Sequence, residues 1–262
     1  MEWRLIETAP LSGAENMAID QALFESVQAG GAPVLRFYRW DPPCLSLGRN
    51  EPARGRYDPE ALKARGIDVV RRPTGGLAVL HDRELTYAVA APVGLLGSPR
   101  ASYEAINRAL VRGLARLGVA AEVAGPAGPG AAGPWPAAPG PCFQVAAPGE
   151  VVVGGWKLVG SAQRCERRTL LQHGSLLLEG DQSTVAELLG AQAPGAEPPR
   201  AAALARVLGY VPPWSELVAA LAAGFTETLG IRLAPATLSA AETARARELT
   251  AHFRSAAWTW RR

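Results

Sequence analysis

The sequence predicts an α+β fold, in which a mixed β-sheet core is flanked by helices. Short apolar segments typical of strands are interspersed with amphipathic segments of helical periodicity. Many neighbouring strand segments are joined by tight turns, which indicates hairpins. After residue 181 the pattern becomes mainly helical. We therefore expect a single domain over residues 1–262, with a helical C-terminal part over residues 182–262.

Periodicity and capping residues predict the elements of the first half. Ser12 and Glu15 have the spacing of a capping box, so a helix is predicted from Ser12 to Val27. Proline in the first turn favours a helix over residues 59–65, and an amphipathic pattern favours another over residues 102–117. Strands are predicted at residues 3–7, 34–40, 44–47, 67–72, 77–81 and 84–91.

The second half begins with a segment that has no means of building a core. From Ala124 to Pro141 every residue except Trp135 is Ala, Gly or Pro. We interpret this segment as a flexible loop, either a linker or a flap, and favour the flap because strand patterns resume straight after it.

Strands and then helices follow this loop. Gly154-Gly155 predicts a two-residue turn between strands at residues 150–153 and 156–159. A further strand is predicted at residues 169–178. Helices are predicted at residues 183–189, 201–208, 213–229 and 239–253.

Composition excludes several classes of protein. With 27 basic and 24 acidic residues, the net charge of +3 is too balanced to suggest nucleic-acid binding. The isoelectric point near 9 mildly favours an acidic protein partner. Three cysteines without metal-ligand spacing indicate neither a disulfide framework nor a metal site. Because the chain has neither a signal-peptide pattern nor a long apolar span, we expect a cytoplasmic protein without membrane association.

A cysteine and a lysine are the main candidates for chemistry. Cys142 follows the Ala/Gly/Pro loop, and Lys157 lies in an otherwise apolar hairpin. A thiol near a trapped ammonium ion is prepared to act as a thiolate. Each residue also has an ordinary interpretation, as a small buried apolar side chain and a solvent-facing strand residue. Cys44 fits a buried role well, whereas Cys165 stays open as a nucleophile because nearby arginines could lower its pKa.

Two further polar segments are candidates for a binding site. Residues 71–76, Arg-Arg-Pro-Thr-Gly-Gly, combine possible anion ligands with glycines that allow close backbone approach. They could equally form a hairpin turn with solvated arginines. His81-Asp82 and Gln172-His173-Gly174-Ser175 could line a site, although a buried structural histidine is an alternative for each.

Together these segments resemble the biotin/lipoate protein ligase and lipoyl/octanoyl transferase superfamily over nearly the whole chain. The matching motifs are Glu15–Asp20, Ser46–Arg49, Arg71–Asp82, Lys157–Gln163 and Gln172–Gly174. Leu77 departs from the pattern, because ligases usually have glycine there and transferases often arginine. The resemblance implies the catalytic-domain fold of this superfamily. It also implies substrate-binding roles for Arg71, Arg72, Gly75, Gly76, His81, Gly160, Ser161, Ala162, Gln172, His173 and Gly174.

Pro-Cys-Phe at residues 141–143 is similar to the cysteine-dependent octanoyltransferases. This likeness implies that Cys142 forms an acyl thioester and that Lys157 lowers the pKa of its thiol. The implied reaction moves an octanoyl group from acyl carrier protein to a lysine of a lipoyl domain, such as glycine cleavage H protein. Neither ATP nor a metal is expected. Alternatives are transfer between lipoyl domains, an ATP-dependent lipoate ligase, and a non-catalytic binding protein.

Three finer expectations follow from this resemblance. Backbone N–H groups near Gly75-Gly76 or Gly160-Ser161 would stabilise a tetrahedral oxyanion. Val79 and Val159 would line a tunnel for the eight-carbon chain. Arg71 and Arg72 would meet the surface of an acidic carrier.

Overall fold

The structure is a computed structural model that describes residues 1–125, 143, 147–189 and 201–262. The predicted loop therefore lies almost wholly outside the described residues, and so does Cys142. The strands are β1 Glu2–Glu7, β2 Val34–Tyr38, β3 Cys44–Leu47, β4 Asp68–Arg71, β5 Val79–His81, β6 Glu84–Pro92, β7 Glu122–Val123, β8 Val151–Val153, β9 Trp156–Glu166, β10 Thr169–Leu177 and β11 Arg232–Ala236. The helices are α1 Gly13–Gln28, α2 Pro59–Ala64, α3 Pro99–Arg116, α4 Ser183–Leu188, α5 Leu204–Leu208, α6 Trp214–Leu229, α7 Ala240–Arg254 and α8 Ala256–Thr259.

The strands form two sheets, and the mixed pairing confirms the predicted fold class. The larger sheet has the order β11-β1-β2-β6-β10-β9-β8-β7, and the smaller one the order β4-β3-β5. In the larger sheet β1 runs parallel to β2 and β11, whereas β2, β6, β10, β9, β8 and β7 pair antiparallel. The long strands β6, β10 and β9 lie next to one another in this sheet, and β9 and β10 form a hairpin. These three strands carry most of the candidate site.

Alternate side chains of the central strands supply two apolar cores, as the two-residue period of a strand requires. On one face, α3 and α6 pack against a cluster that includes Phe37, Tyr87 and Val89. On the other face, α1 and α7 pack against a cluster that includes Tyr38 and Ala88. The smaller sheet lies on the α1 side, where β3 and β4 contact α1. The candidate site lies on this side of the larger sheet.

Several boundaries differ from the predictions for identifiable reasons. Helix α3 begins at Pro99 rather than at residue 102, because the Ser98 side chain accepts a hydrogen bond from the backbone N–H of Ala101. The C-terminal part, predicted to be helical, contains β11, an edge strand that pairs with β1. Its Arg-Leu-Ala-Pro-Ala sequence has little strand character of its own, so pairing with a distant strand determines its conformation.

Within the described residues, no helix combines the length and the apolar character needed to cross a membrane.

Candidate functional site

A cavity lies between the α1 side of the larger sheet and the smaller sheet. It is lined by Met17, Tyr38, Trp40, Ser46, Arg72, Gly76, Val79, His81, Thr86, Gly160, Ser161, Ala162, His173, Gly174 and Ser175. Eight of the predicted substrate-binding residues are among these, although they come from four separate segments of the sequence. Arg71, Gly75 and Gln172 are not among the lining residues.

A β-bulge determines which way Lys157 points. Val151 is paired with Val159, but Val152 is paired with Lys157, so Leu158 is an extra residue between the two pairs. The extra residue puts Lys157 on the same side of β9 as Gly160, and its Cε lies 3.2 Å from the position of a Cβ on Gly160. Val159 is turned into the core on the opposite face, so the expectation that it lines the cavity is wrong.

Lys157 is buried and paired, which excludes a solvent-facing role. Its side chain is 2% exposed, and its Nζ lies 2.7 Å from Glu150 Oε1. The Nζ also lies 5.1 Å from the centre of the Phe143 ring, a cation–π arrangement. Phe143 is completely buried and directly follows Cys142 in the sequence. The lysine therefore lies beside Phe143, the one described residue of the Pro-Cys-Phe motif.

Glu150 is a site residue that was not predicted from the sequence. It is 4% exposed. One oxygen of its carboxylate contacts Lys157, and the other accepts a hydrogen bond of 2.8 Å from the backbone N–H of Ala147. A buried ammonium ion needs such a partner, because the desolvation of an isolated charge costs several kcal/mol. An acidic residue in the same hairpin as the lysine was the sequence signal for this pair.

A network of buried polar side chains lies between helix α1 and the cavity. The Asp20 carboxylate accepts hydrogen bonds from Arg36 Nη1 at 2.7 Å and from the Tyr38 hydroxyl at 2.8 Å. His173 Nδ1 lies 3.0 Å from the same carboxylate, and His173 Nε2 lies 2.6 Å from the Thr74 hydroxyl. The network therefore connects helix α1 with the loop that contains Gly75 and Gly76.

Opposing effects act on the acidity of Asp20. Burial raises the pKa of its carboxyl, but hydrogen bonds from His173 and Tyr38 and the charges of Arg36 and His173 outweigh burial, so the net pKa is lowered. Asp20 is therefore ionised inside the protein. It balances the positive charge of Arg36, which is also fully buried.

The two arginines of the Arg-Arg-Pro-Thr-Gly-Gly segment donate hydrogen bonds to backbone carbonyl groups. Arg71 donates to the carbonyl oxygens of Gly48, Glu51 and Thr259 at 2.5, 2.8 and 2.9 Å. Because Arg71 is 0% exposed, the expectation that it meets the surface of an acidic carrier is wrong.

Arg72 is 5% exposed and lines the cavity. It donates to the carbonyl oxygens of Ser46, Gly75 and Leu77 at 2.7 to 2.8 Å. Its burial likewise contradicts the expectation of a carrier contact. Leu77 departs from the family pattern in its side chain, but its carbonyl still takes part in holding Arg72.

Gly48 allows the glycine loop to come close to β3. A Cβ on Gly48 would lie 1.8 Å from the Gly76 carbonyl oxygen, which is less than any van der Waals contact. We expect Gly48→Ala to displace the loop, destabilise the fold by about 1–3 kcal/mol and lower turnover by about a hundredfold if the reacting groups shift by about 1 Å.

Turnover and thermal melting check this prediction. Gly94→Ala is the matched control, because a Cβ on Gly94 would meet nothing within 4 Å. Full activity of Gly48→Ala would show that the close approach is unnecessary.

His81 is buried against the wall of the cavity. Its Nε2 lies 2.8 Å from the Ser46 hydroxyl, and its ring stacks on Trp40 with 4.1 Å between the ring centres. Burial lowers the pKa of His81, while the nearby Glu84 carboxylate opposes this effect. The following aspartate, Asp82, accepts a hydrogen bond from the backbone N–H of Arg83 instead of orienting the ring, so it caps the turn.

Ser161 and Gln172 direct their side chains to the α3 side of the sheet. The Ser161 hydroxyl lies 2.8 Å from the Tyr87 hydroxyl, and Gln172 donates to the same hydroxyl at 2.9 Å. Asn107 on α3 completes this polar cluster. Strand alternation explains the separation, since the side chains of His173 and Ala162 are directed to the α1 side of the sheet and those of Ser161 and Gln172 to the α3 side. Tyr87 and Asn107 were not predicted as site residues.

The described cysteines differ in burial. Cys44 is fully buried, and burial raises the pKa of its thiol, as its predicted structural role requires. Cys165 is exposed, and partial burial of its sulfur raises its pKa. The arginines beside Cys165 therefore do not prepare it as a thiolate. Cys142 lies outside the described residues.

Comparison with known proteins supports the grouping of these motifs. The chain matches the model of the lipoyl protein ligase A/B catalytic domain over residues 12–226. It is 43% identical to octanoyltransferase LipM of Kyrpidia tusciae, with 99% of each chain covered. It is 38% identical to octanoyltransferase LipM of Symbiobacterium thermophilum, with 94% of this chain and 93% of the relative covered.

Solved structures show the same architecture. A lipoate-protein ligase A with bound ATP has a TM-score of 0.81 and 26% identity, with 99% of each chain covered. A bi-partite lipoate protein ligase from Thermoplasma acidophilum has a TM-score of 0.77 and 26% identity, with 99% of this chain and 96% of that chain covered. The sequence motifs, the fold and the relatives agree, and the chain belongs to the lipoyl protein ligase A/B catalytic domain family.

Proposed function

We propose that the protein is an octanoyltransferase of lipoate biosynthesis that works through a thioester on Cys142. The observation that carries this proposal is the position of Lys157, a buried ammonium ion beside Phe143, the residue that follows Cys142 in the sequence. An ammonium ion near a thiol favours the thiolate. The octanoyltransferase names of the two bacterial relatives support the same activity.

The first half-reaction forms the acyl-enzyme. The Cys142 thiolate attacks the carbonyl carbon of octanoyl-acyl carrier protein, and backbone N–H groups near Gly76 or Gly160 stabilise the oxyanion. The bond between that carbon and the carrier sulfur then breaks, and the carrier leaves as a thiol after it gains a proton. A thioester is already activated for acyl transfer, so this step requires neither ATP nor a metal.

The second half-reaction transfers the acyl group to a protein. The neutral amine of a lysine in a lipoyl domain, such as glycine cleavage H protein, attacks the thioester carbon on Cys142. An amide bond forms, the carbon–sulfur bond breaks, and the amine loses a proton, which regenerates the thiolate. We assign the binding of the acyl chain and the reacting carbonyl to cavity residues, including Arg72, Val79 and His173.

One experiment tests the proposal directly. The protein is incubated with octanoyl-acyl carrier protein and a lipoyl domain in the absence of ATP, and the intact masses of enzyme and acceptor are followed. We expect an octanoyl adduct on Cys142 and then an octanoylated acceptor. Cys142→Ala should form neither product, whereas Cys165→Ala, which removes the exposed cysteine, should behave as wild type.

Three other outcomes would contradict the proposal. An octanoyl adduct mapped to Cys44 or Cys165 would refute the assignment of the nucleophile. Activity that requires ATP and free lipoate and releases pyrophosphate would identify a ligase, as the ATP-bound structural relative suggests. Transfer only from an octanoylated lipoyl domain would identify an amidotransferase.

A further inference from the structure

A group of arginines lies at the turn that joins β9 to β10. We call Arg49, Arg164, Arg167 and Arg168 the basic rim. Arg167 and Arg168 are exposed, and the other two are partly exposed. The pKa of Glu166 is lowered by a hydrogen bond from Arg164 and by the charges of Arg164, Arg167 and Arg49. The Glu166 carboxylate therefore lies among several guanidinium groups. The nearby Glu25 carboxylate also interacts with the charge of Arg164, but it is paired with Arg245, so the rim keeps an excess of positive charge.

The pairing of the rim arginines differs from that of the arginines on helix α3. Arg100, Arg108, Arg112 and Arg116 on α3 all pair with Glu104 or Glu227. In the rim, Arg164 pairs with Glu166. Within the described parts of the chain, Arg49, Arg167 and Arg168 form no ion pair with a carboxylate. The rim therefore carries unbalanced positive charge, whereas the arginines of α3 are balanced by carboxylates.

The backbone of the turn adds an independent observation. Arg167 and Arg168 have φ angles of 47° and 64°, in the left-handed region that favours glycine and asparagine. A two-residue turn of this type is usually formed by Asn-Gly. Two consecutive arginines reduce the stability of such a turn without improving its packing. Their presence indicates a role for their charge.

The basic rim borders the loop that lines the cavity. Arg49 and Arg164 line a groove together with Pro73, and Pro73 belongs to the same loop as the cavity-lining residues Arg72 and Gly76. The backbone N–H of Arg49 donates to the carbonyl oxygen of Thr74 at 2.8 Å. A protein bound to the rim would therefore lie next to the cavity.

We propose that the basic rim is the docking surface for an acidic carrier protein that presents the acyl thioester. This inference rests on the proposed function. At about 3.3 Å per strand residue, the seven residue steps from Gly160 to Arg167 span roughly 23 Å. That distance fits a donor that holds its acyl group on a long flexible arm better than an acceptor that must insert a lysine side chain. Charge complementarity would act mainly on the association rate.

The test replaces Arg167 and Arg168 with uncharged residues that favour the conformation of this turn. In the Arg167→Asn/Arg168→Gly double variant, we expect the KM for octanoyl-acyl carrier protein at low salt to rise about fivefold, as two exposed ionic contacts are lost. The kcat should stay unchanged, and the melting temperature should stay equal or rise. The KM for the octanoyl thioester of N-acetylcysteamine, which is small and uncharged, should not change. Added salt should reduce the difference between variant and wild type.

The control is Arg100→Gln/Arg108→Gln, which removes two exposed charges from α3 on the opposite face of the sheet. An unchanged KM for the carrier in the rim variant would overturn the proposal. So would a higher KM for the lipoyl domain alone, or an equal loss of activity with the small thioester. If the wild-type protein transferred the octanoyl group from neither thioester, the proposed function itself would fail. Failure of the docking proposal and failure of the proposed function therefore give different results.

Discussion

Lys157→Ala is expected to lower the rate of acyl transfer by about 10²–10⁴-fold, the range for loss of a group that activates a nucleophile or moves a proton. In the proposed mechanism the ammonium ion of Lys157 favours the thiolate of Cys142, so its loss should raise the pKa of the thiol. Each pKa unit corresponds to about 1.4 kcal/mol. The rate of Cys142 alkylation measured against pH should therefore move to higher pH in the variant.

The variant also leaves Glu150 buried without its cation, so stability must be measured separately. Removal of one partner from a buried ion pair typically costs about 3–5 kcal/mol. The Glu150→Ala/Lys157→Ala double variant removes both charges and should recover much of this loss. It should remain inactive, which would separate a chemical role of Lys157 from a structural one.

Lys63→Ala is the natural control, because Lys63 is the other of the two lysines in the chain and lies exposed on α2. It should retain full activity and stability. An alkylation profile of Lys157→Ala that coincides with that of wild type would exclude the proposed effect on the thiol.

The sequence was sufficient to predict the strands and helices that have strong local signals. The capping box at Ser12 and the glycine turn at residues 154–155 both mark real element boundaries. Strand β11 could not be predicted in this way, since its conformation depends on pairing with β1 at the other end of the chain.

Within the candidate site, the motifs predicted which segments meet but not how each side chain is directed. The bulge at Leu158 turns Lys157 towards Gly160 and Val159 away from it, and no pattern in the sequence specifies that extra residue. Arg71 was recognised from its motif, but its complete burial against backbone carbonyls depends on the C-terminal segment near Thr259. A local irregularity in one hairpin therefore decides the orientation of Lys157, and a contact with a distant segment decides the burial of Arg71.

Asp20→Ala should be among the most destabilising single substitutions in the described part of the chain. It would leave Arg36 buried without its counter-ion and His173 and Tyr38 without their shared acceptor. Loss of one partner from a buried pair gives an expected cost of about 3–5 kcal/mol in the free energy of unfolding. Denaturant unfolding at neutral pH measures this cost, and Asp20→Asn should lose less because an amide oxygen still accepts hydrogen bonds.

The pH dependence of this effect has a definite sign. Because the pKa of Asp20 is lowered in the folded protein, its ionised form stabilises the fold at pH values above its ordinary pKa. This contribution is lost as the pH falls through the lowered pKa, so the difference between wild type and Asp20→Ala should shrink in acid. Glu187→Ala is the control, since Glu187 pairs with Arg65 on the surface and its loss should cost less than about 1 kcal/mol. If Asp20→Ala also cost less than about 1 kcal/mol, the result would show that the buried network does not hold helix α1 to the glycine loop.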